Sequence, residues 1–213
     1  MTRPTLYGAA YSVYVRAARL ALEEKGVPYR LEEVDIFADG GPPPDYLRRH
    51  PFARIPAFEH DGFLLYETGA ITRYVDEAFA GPALMPEGPE ARARANQIIG
   101  ILDSYAYRTW IWDIFVEQVD VPLSGGTSDE TKIAAALPRA ETCLAAIEVL
   151  MQPGTYFLGE APSLADLHAA PMIACFRRAL DGERLVAGHH RLQTWWEQIS
   201  RRPSMAATRP PRA

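Results

Sequence analysis

Residues 50–71 read His50-Pro51-Phe52-Ala53-Arg54-Ile55-Pro56-Ala57-Phe58-Glu59-His60-Asp61-Gly62-Phe63-Leu64-Leu65-Tyr66-Glu67-Thr68-Gly69-Ala70-Ile71. Asp61-Gly62 readily takes the positive φ angles of a tight hairpin turn, and apolar segments flank it, so Ala57 to Glu59 and Phe63 to Tyr66 read as paired strands. Pro56 heads the first of them, where its missing N–H costs no ladder bond. Glu67 then opens a helix through Phe79, with Ala70, Ile71, Tyr74, Val75 and Ala78 on one face.

Upstream, Pro4 to Tyr7 is a short strand, Gly8 to Tyr11 a loop, and Ser12 an N-cap for a helix ending at Gly26. Val13, Ala17, Leu20 and Ala21 fall on its core face, and Arg16, Arg19, Glu23 and Glu24 outside. Tyr29 and Leu31 alternate with Arg30 and Glu32 as a second strand, which makes a parallel unit with a right-handed crossover. The Gly40-Gly41-Pro42-Pro43-Pro44 run is a surface loop. Downstream, Ala80-Gly81-Pro82 to Pro86-Glu87-Gly88-Pro89 punctuates a shift to long helices, which predicts domains 1–80 and 89–213 joined by a linker, 81–88. The second domain reads as a long helix from Pro89 to about Val119 and another, opened by a capping box at Thr127-Ser128-Asp129-Glu130, ending near Met151 with a kink at Pro138. A variant box at Ser163-Leu164-Ala165-Asp166 precedes a buried helix containing Pro171. A last helix, about His190 to Ser200, leads into a tail rich in Pro and Arg.

At roughly 150 residues per domain, 213 residues suit one or two domains. A net charge of -5 without a basic patch argues against nucleic acid as partner. The longest uncharged run, Pro4 to Val15, is too short and polar to span a bilayer or serve as a secretory signal, so no membrane role and a cytoplasmic location are expected. Cys143 and Cys175 sit in apolar helical patterns without metal-ligand spacing and read as inert thiols, and no metal is expected.

Three places can carry chemistry. Ser12 sits where a strand ends and a helix begins, a position at which free N–H groups favour anions; it is either a plain N-cap or part of a ligand site. If the Ile55–Pro56 bond is cis, at about 0.5–1 kcal/mol, Ile55 can turn its N–H and C=O outward to pair with an extended peptide. Glu67-Thr68, at a helix start, offers a carboxylate for an ammonium and N–H groups with a hydroxyl for a carboxylate, or merely an acidic first turn. The fold order puts all three on one sheet edge.

With Leu6-Tyr7-Gly8, Ser12 through Gly26, His50 to Phe58, Tyr66 to Ile71 and Gly159 to Asp166 in this order and spacing, residues 5–80 resemble the amino-terminal domain of glutathione transferases and 88–205 their helical domain. The resemblance implies an α/β thioredoxin-like domain, βαβ-αββα with a mixed sheet, followed by an all-α domain. It implies an enzyme that conjugates glutathione, as co-substrate, to small hydrophobic electrophiles. Alternatives are a glutathione-binding scaffold module or a glutathione-dependent peroxidase, isomerase or dehalogenase. Ser12 matches the sulfur-binding hydroxyl of the serine-type classes such as phi, tau and theta, whereas thiol reductases carry Cys there. Pro56 matches the family's cis proline, Ile55 the residue that pairs with the cysteinyl backbone, and Glu67 and Thr68 those that hold the γ-glutamyl group. Ser163 and Asp166 match a folding-related cap.

His50 and Ala53 stand where the family usually has Asn and Gly, and Val13 and Ala17 replace commoner Pro and Arg. Gly41 and Pro42 replace basic residues for the glycyl carboxylate, which leaves Arg54 as the candidate for that contact. Tyr7, Tyr11 and Tyr14 are rival thiol donors. The electrophile is expected against Ala10 and Tyr11 and against Tyr105, Arg108 and Trp112, which helical spacing brings onto one face. A homodimer is expected, with Phe52 and the Arg73 region as interface elements.

Overall fold

The computed structural model describes residues 2–211, which divide into two compact units: 2–85 together with 202–211, and 86–201. In the first, β1 (Thr5–Tyr7), α1 (Val13–Glu24) and β2 (Arg30–Glu32) precede a 3-10 turn (Pro44–Arg48), and β3 (Ala57–His60), β4 (Phe63–Tyr66) and α2 (Thr68–Ala78) follow it. The sheet is mixed, in the order β2-β1-β3-β4, with β1 parallel to β2 and the other neighbours antiparallel. This is the thioredoxin-like arrangement expected. Asp61 and Gly62 take φ 50 and 81, as a tight hairpin requires. Leu6 and Phe58 of the sheet, Leu20 of α1, and Ile71 and Val75 of α2 are all fully buried, and each such side chain contributes about 1.5–3 kcal/mol.

Three features differ from the sequence reading. Pro44 is not loop but the first residue of the 3-10 turn, where its fixed φ and missing N–H do no harm. Residues 81–85 belong to the first unit. Buried Lys25 donates to the carbonyl of Pro82 (3.0 Å) and to Asp76 (3.1 Å), whose carboxylate accepts the N–H groups of Leu84 and Met85. Arg16, placed on the outer face, is buried because the segment from Arg202, read as part of the helical domain, returns to cover α1. That segment contains a short helix, α9 (Pro203–Ala207), absent from the sequence reading.

The second unit is all-helical. After α3 (Pro89–Ile101) the chain continues as a π-helix (Leu102–Asp120), then α4 (Val121–Leu123), α5 (Glu130–Leu150), α6 (Leu164–Phe176), α7 (Leu180–Ala187) and α8 (His190–Ile199). The box expected at Thr127 is replaced by Asp129 as N-cap, which accepts from the Lys132 N–H. Asp181 and Gly182 lie inside α7. Gly182 is needed for contact, since a Cβ there would collide with the Phe176 carbonyl oxygen.

Asp166 organises this unit. Fully buried, its carboxylate accepts from the Ser163 N–H (2.7 Å) and hydroxyl (2.6 Å), the Phe157 N–H (2.8 Å) and the Trp195 indole N–H (2.7 Å). Burial pushes its pKa up, and these four donors pull it back. Trp195 in turn stacks on Phe157 at 4.4 Å between centroids. Replacing Asp166 by Asn turns one acceptor oxygen into a donor facing donors. The Asp166→Asn variant is expected to lose about 3 kcal/mol of stability, read as a lowered urea midpoint; an unchanged midpoint refutes this account.

Candidate active site

Tyr7 pairs with Ala57, and Ala57 with Tyr66. The next residues outward, Gly8, Pro56 and Glu67, therefore share one edge of the sheet, and α1 and α2 both begin there. Amino ends of helices carry N–H groups without intrahelical partners and favour anions. Gly8 closes the arrangement. A Cβ at this position would stand 2.5 Å from Val15 Cγ2 and 3.1 Å from Ile55 Cβ, so the absent side chain is what lets the first turn of α1 approach the Ile55 loop.

Ser12 caps α1. Its N–H donates to the Ala9 carbonyl (3.0 Å), its carbonyl accepts from Arg16 N–H (2.9 Å), and its Oγ accepts weakly from Val15 N–H (3.4 Å). The hydroxyl proton meets no acceptor among the described residues, and the side chain is half-buried. Ile55–Pro56 is cis. Ile55 lies outside β3, and its N–H and C=O pair with no other backbone group among the described residues.

Glu67 takes φ 69, its carbonyl accepts from Ala70 and Ile71 N–H, and its exposed side chain makes no capping bond. A non-glycine residue in this region costs about 1–3 kcal/mol and marks ligand sites more often than it occurs elsewhere. Thr68 is buried at the first position of α2, and Arg54 is exposed with its carbonyl held by the Tyr46 hydroxyl at 2.7 Å. Ala53 takes φ 52, which explains why glycine is usual there.

Two of the rival donors, Tyr7 and Tyr11, have hydroxyl partners of their own. The Tyr7 hydroxyl donates to Glu59 (2.9 Å) beneath the Arg49 guanidinium, and burial followed by that hydrogen bond raises its pKa. The Tyr11 hydroxyl donates to Asp35 (3.3 Å), which also accepts from Phe37 N–H, tying the loop after β2 to the residues beside half-buried Ala10. Sequence reading missed Asp35, Arg49 and Glu59, because no local pattern announces a partner two dozen or more positions away.

Tyr105, Arg108 and Trp112 lie in the π-helix of the second unit. The spacing that groups them assumes 3.6 residues per turn, and i→i+5 bonding winds the chain more loosely, so that grouping does not carry over. Tyr105 is 64% exposed, Arg108 Nε donates to Asp113 (3.0 Å), and the Trp112 carbonyl accepts from Lys132 Nζ (3.2 Å). Among the described residues no group of three or more His, Cys, Asp or Glu is placed to hold a metal, and no helix is long and apolar enough to cross a membrane.

His50 is 2% exposed, its ring 4.9 Å from that of Tyr66, and Nδ1 has no partner among the described residues. Burial lowers its pKa; Glu67 opposes this and Arg54 adds to it. The folded state therefore binds fewer protons than the unfolded chain, and this residue's contribution to stability is lost as pH falls through the unfolded histidine value of about 6.5. Urea unfolding at pH 7.5 and 5.5 should show wild type losing more stability on acidification than His50→Gln; equal losses refute the assignment.

A family model described as the glutathione S-transferase N-terminal domain matches residues 6–83, and one described as the C-terminal domain matches 104–203. A protein named glutathione S-transferase F10, from Arabidopsis thaliana, is 27% identical over 200 residues, 93% of this chain and 92% of that protein. Among solved structures, glutathione S-transferase III in apo form superposes with a TM-score of 0.86 at 26% identity over 100% of both chains. Glutathione S-transferase I from mais, in complex with an atrazine glutathione conjugate, gives 0.82 at 26% identity over 97% of this chain and 96% of its own.

Proposed function

The chain belongs to the glutathione S-transferase family and conjugates glutathione to electrophiles, and we propose that Ser12 holds the glutathione sulfur as the reactive thiolate. The observation that carries this is the Ser12 hydroxyl, whose proton meets no acceptor among the described residues, at the amino end of α1 beside the Ile55 loop. A free thiol with pKa about 8.5 is only a few per cent ionised at neutral pH. Lowering it by two units takes about 2.7 kcal/mol. One hydrogen bond to a charged acceptor supplies about 1.5–3 kcal/mol and the helix end about 0.3–1 more. No general base is needed.

The remaining assignments follow from the same edge. Ile55 pairs its backbone with the cysteinyl unit as an added strand does, and Glu67 with Thr68 grips the γ-glutamyl ammonium and carboxylate. Arg54, exposed at the end of the same loop, takes the glycyl carboxylate. Ala10 and Tyr11 flank the sulfur and meet the electrophile, a small hydrophobic molecule. Holding sulfur and electrophile together supplies orientation as well as charge. The strained backbone of Glu67 supports a ligand role there.

Ser12→Ala should raise the pKa of enzyme-bound glutathione by about 1–2 units and cut kcat/KM at pH 7 by about 10–100-fold, with Tyr11→Phe close to wild type. Thiolate absorbance against pH and conjugation of a chlorinated nitrobenzene read both. A Ser12→Ala enzyme with an unshifted titration removes Ser12 from the role.

The chain is also proposed to work as a homodimer. Phe52, Phe63, Leu64 and Tyr66 are exposed apolar residues of the first unit, with Phe52 and Tyr66 edge to face at 6.1 Å, and a second copy would cover them. Sedimentation velocity should find a dimer for wild type and a concentration-dependent shift toward monomer for Phe52→Ser; a wild-type monomer at assay concentration rejects this.

A further inference from the structure

Residues 202–208 lie along α1 in the opposite direction. Arg16, in the first turn of α1, donates to the carbonyl of Met205 (3.0 Å) and the hydroxyl of Thr208 (3.4 Å). Arg19, nearly one turn on, reaches the carbonyls of Ala207 (3.2 Å) and Thr208 (3.4 Å). Glu24, the last residue of α1, accepts from Arg202 Nε (2.7 Å) and from the Ser204 hydroxyl. The last carbonyls of a helix have no partner within it; here the two arginines of α1 take those at the end of α9. Arg16 is 7% exposed and Thr208 fully buried. Burying a guanidinium is costly unless its hydrogen bonds are made, so its position is defined by the segment it binds.

Arg16 also touches the candidate active site through its own main chain. Its N–H donates to the Ser12 carbonyl at 2.9 Å, the first bond that closes α1 on its cap. One residue thus joins the Ser12 turn, through its backbone, to residues 205–208, through its side chain.

We propose that residues 202–208 form a strap that holds the first turn of α1 in register, with Arg16 as the positioning residue that keeps the Ser12 hydroxyl aimed at the glutathione sulfur. This rests on the reading of Ser12 as the thiolate-stabilising group. Arg16 does not meet the substrate. It acts by keeping the turn from loosening, so its loss weakens the hydrogen bond to sulfur more than it weakens the grip on the peptide, which Ile55, Glu67 and Thr68 supply.

The test uses Arg16→Met, which keeps the apolar stem and removes the donors, and Arg16→Lys, which keeps a charge and can restore one bond. Both are compared with wild type and Ser12→Ala. The pH titration of the bound thiol is the main readout, and calorimetric affinity for S-methylglutathione, which has no thiol to ionise, is the control. Arg16→Met is expected to raise the thiol midpoint by about half a pH unit, roughly a threefold lower ratio of thiolate to thiol at a given pH. Its affinity for S-methylglutathione should stay within about twofold of wild type, and Arg16→Lys should fall between.

A folded Arg16→Met with an unshifted midpoint overturns the strap, as does an affinity loss with no shift. If Arg16→Met does not fold, Glu24→Gln, which loosens the far end of the strap, must shift the midpoint in the same direction or the proposal fails. If Ser12→Ala leaves the midpoint where it was, the Ser12 reading falls and the strap proposal with it. If Ser12→Ala moves the midpoint and Arg16→Met does not, the strap alone is wrong.

Discussion

The pairing of Tyr7 with Ala57 and of Ala57 with Tyr66 is the constraint from which the candidate site follows. A slip of one residue in either pairing would turn every side chain of the strand to the opposite face and carry Pro56 or Glu67 away from Gly8. With the register as it stands, three chain segments end at one edge, each presenting backbone groups that the sheet does not use. Gly8 completes the arrangement by having no side chain, because the approach of Val15 to Ile55 leaves no room for one.

Buried polar groups do in each unit what apolar packing cannot do alone. Hydrophobic side chains of similar volume exchange places at modest cost, whereas a buried donor or acceptor must find its partner in one geometry. Lys25 and Asp76 bind residues 82–85 to the first unit, Arg16 and Glu24 bind residues 202–208 to α1, and Asp166 gathers Phe157, Ser163 and Trp195 in the second. Where these bonds lie, rather than where the chain is rich in Pro and Gly, decides which segments belong to which unit.

Much of the fold was legible because its signals are local. Asp61-Gly62 makes the hairpin, Ser12 caps α1, and Ser163 with Asp166 forms its box from residues three apart. Arg16 was misplaced because helical periodicity puts a charge outside unless something returns to cover it, and the covering segment starts almost two hundred positions later. The grouping of Tyr105, Arg108 and Trp112 relied on a winding that the π-helix does not have.

The amino-acid sequence by itself determined the two structural classes, the order of strands and helices in the first unit, and the residue types able to bind a thiol, an extended backbone and a zwitterionic amino acid. Those follow from spacing, capping and turn chemistry, which act within a few residues. Tertiary structure alone decided which of the tyrosines lose their hydroxyls to Asp35 and Glu59, which charges are buried, and where residues 202–208 come to rest. Those outcomes depend on which distant groups meet once the core has formed, and the pairing of one buried donor with one acceptor leaves no periodic trace in the chain.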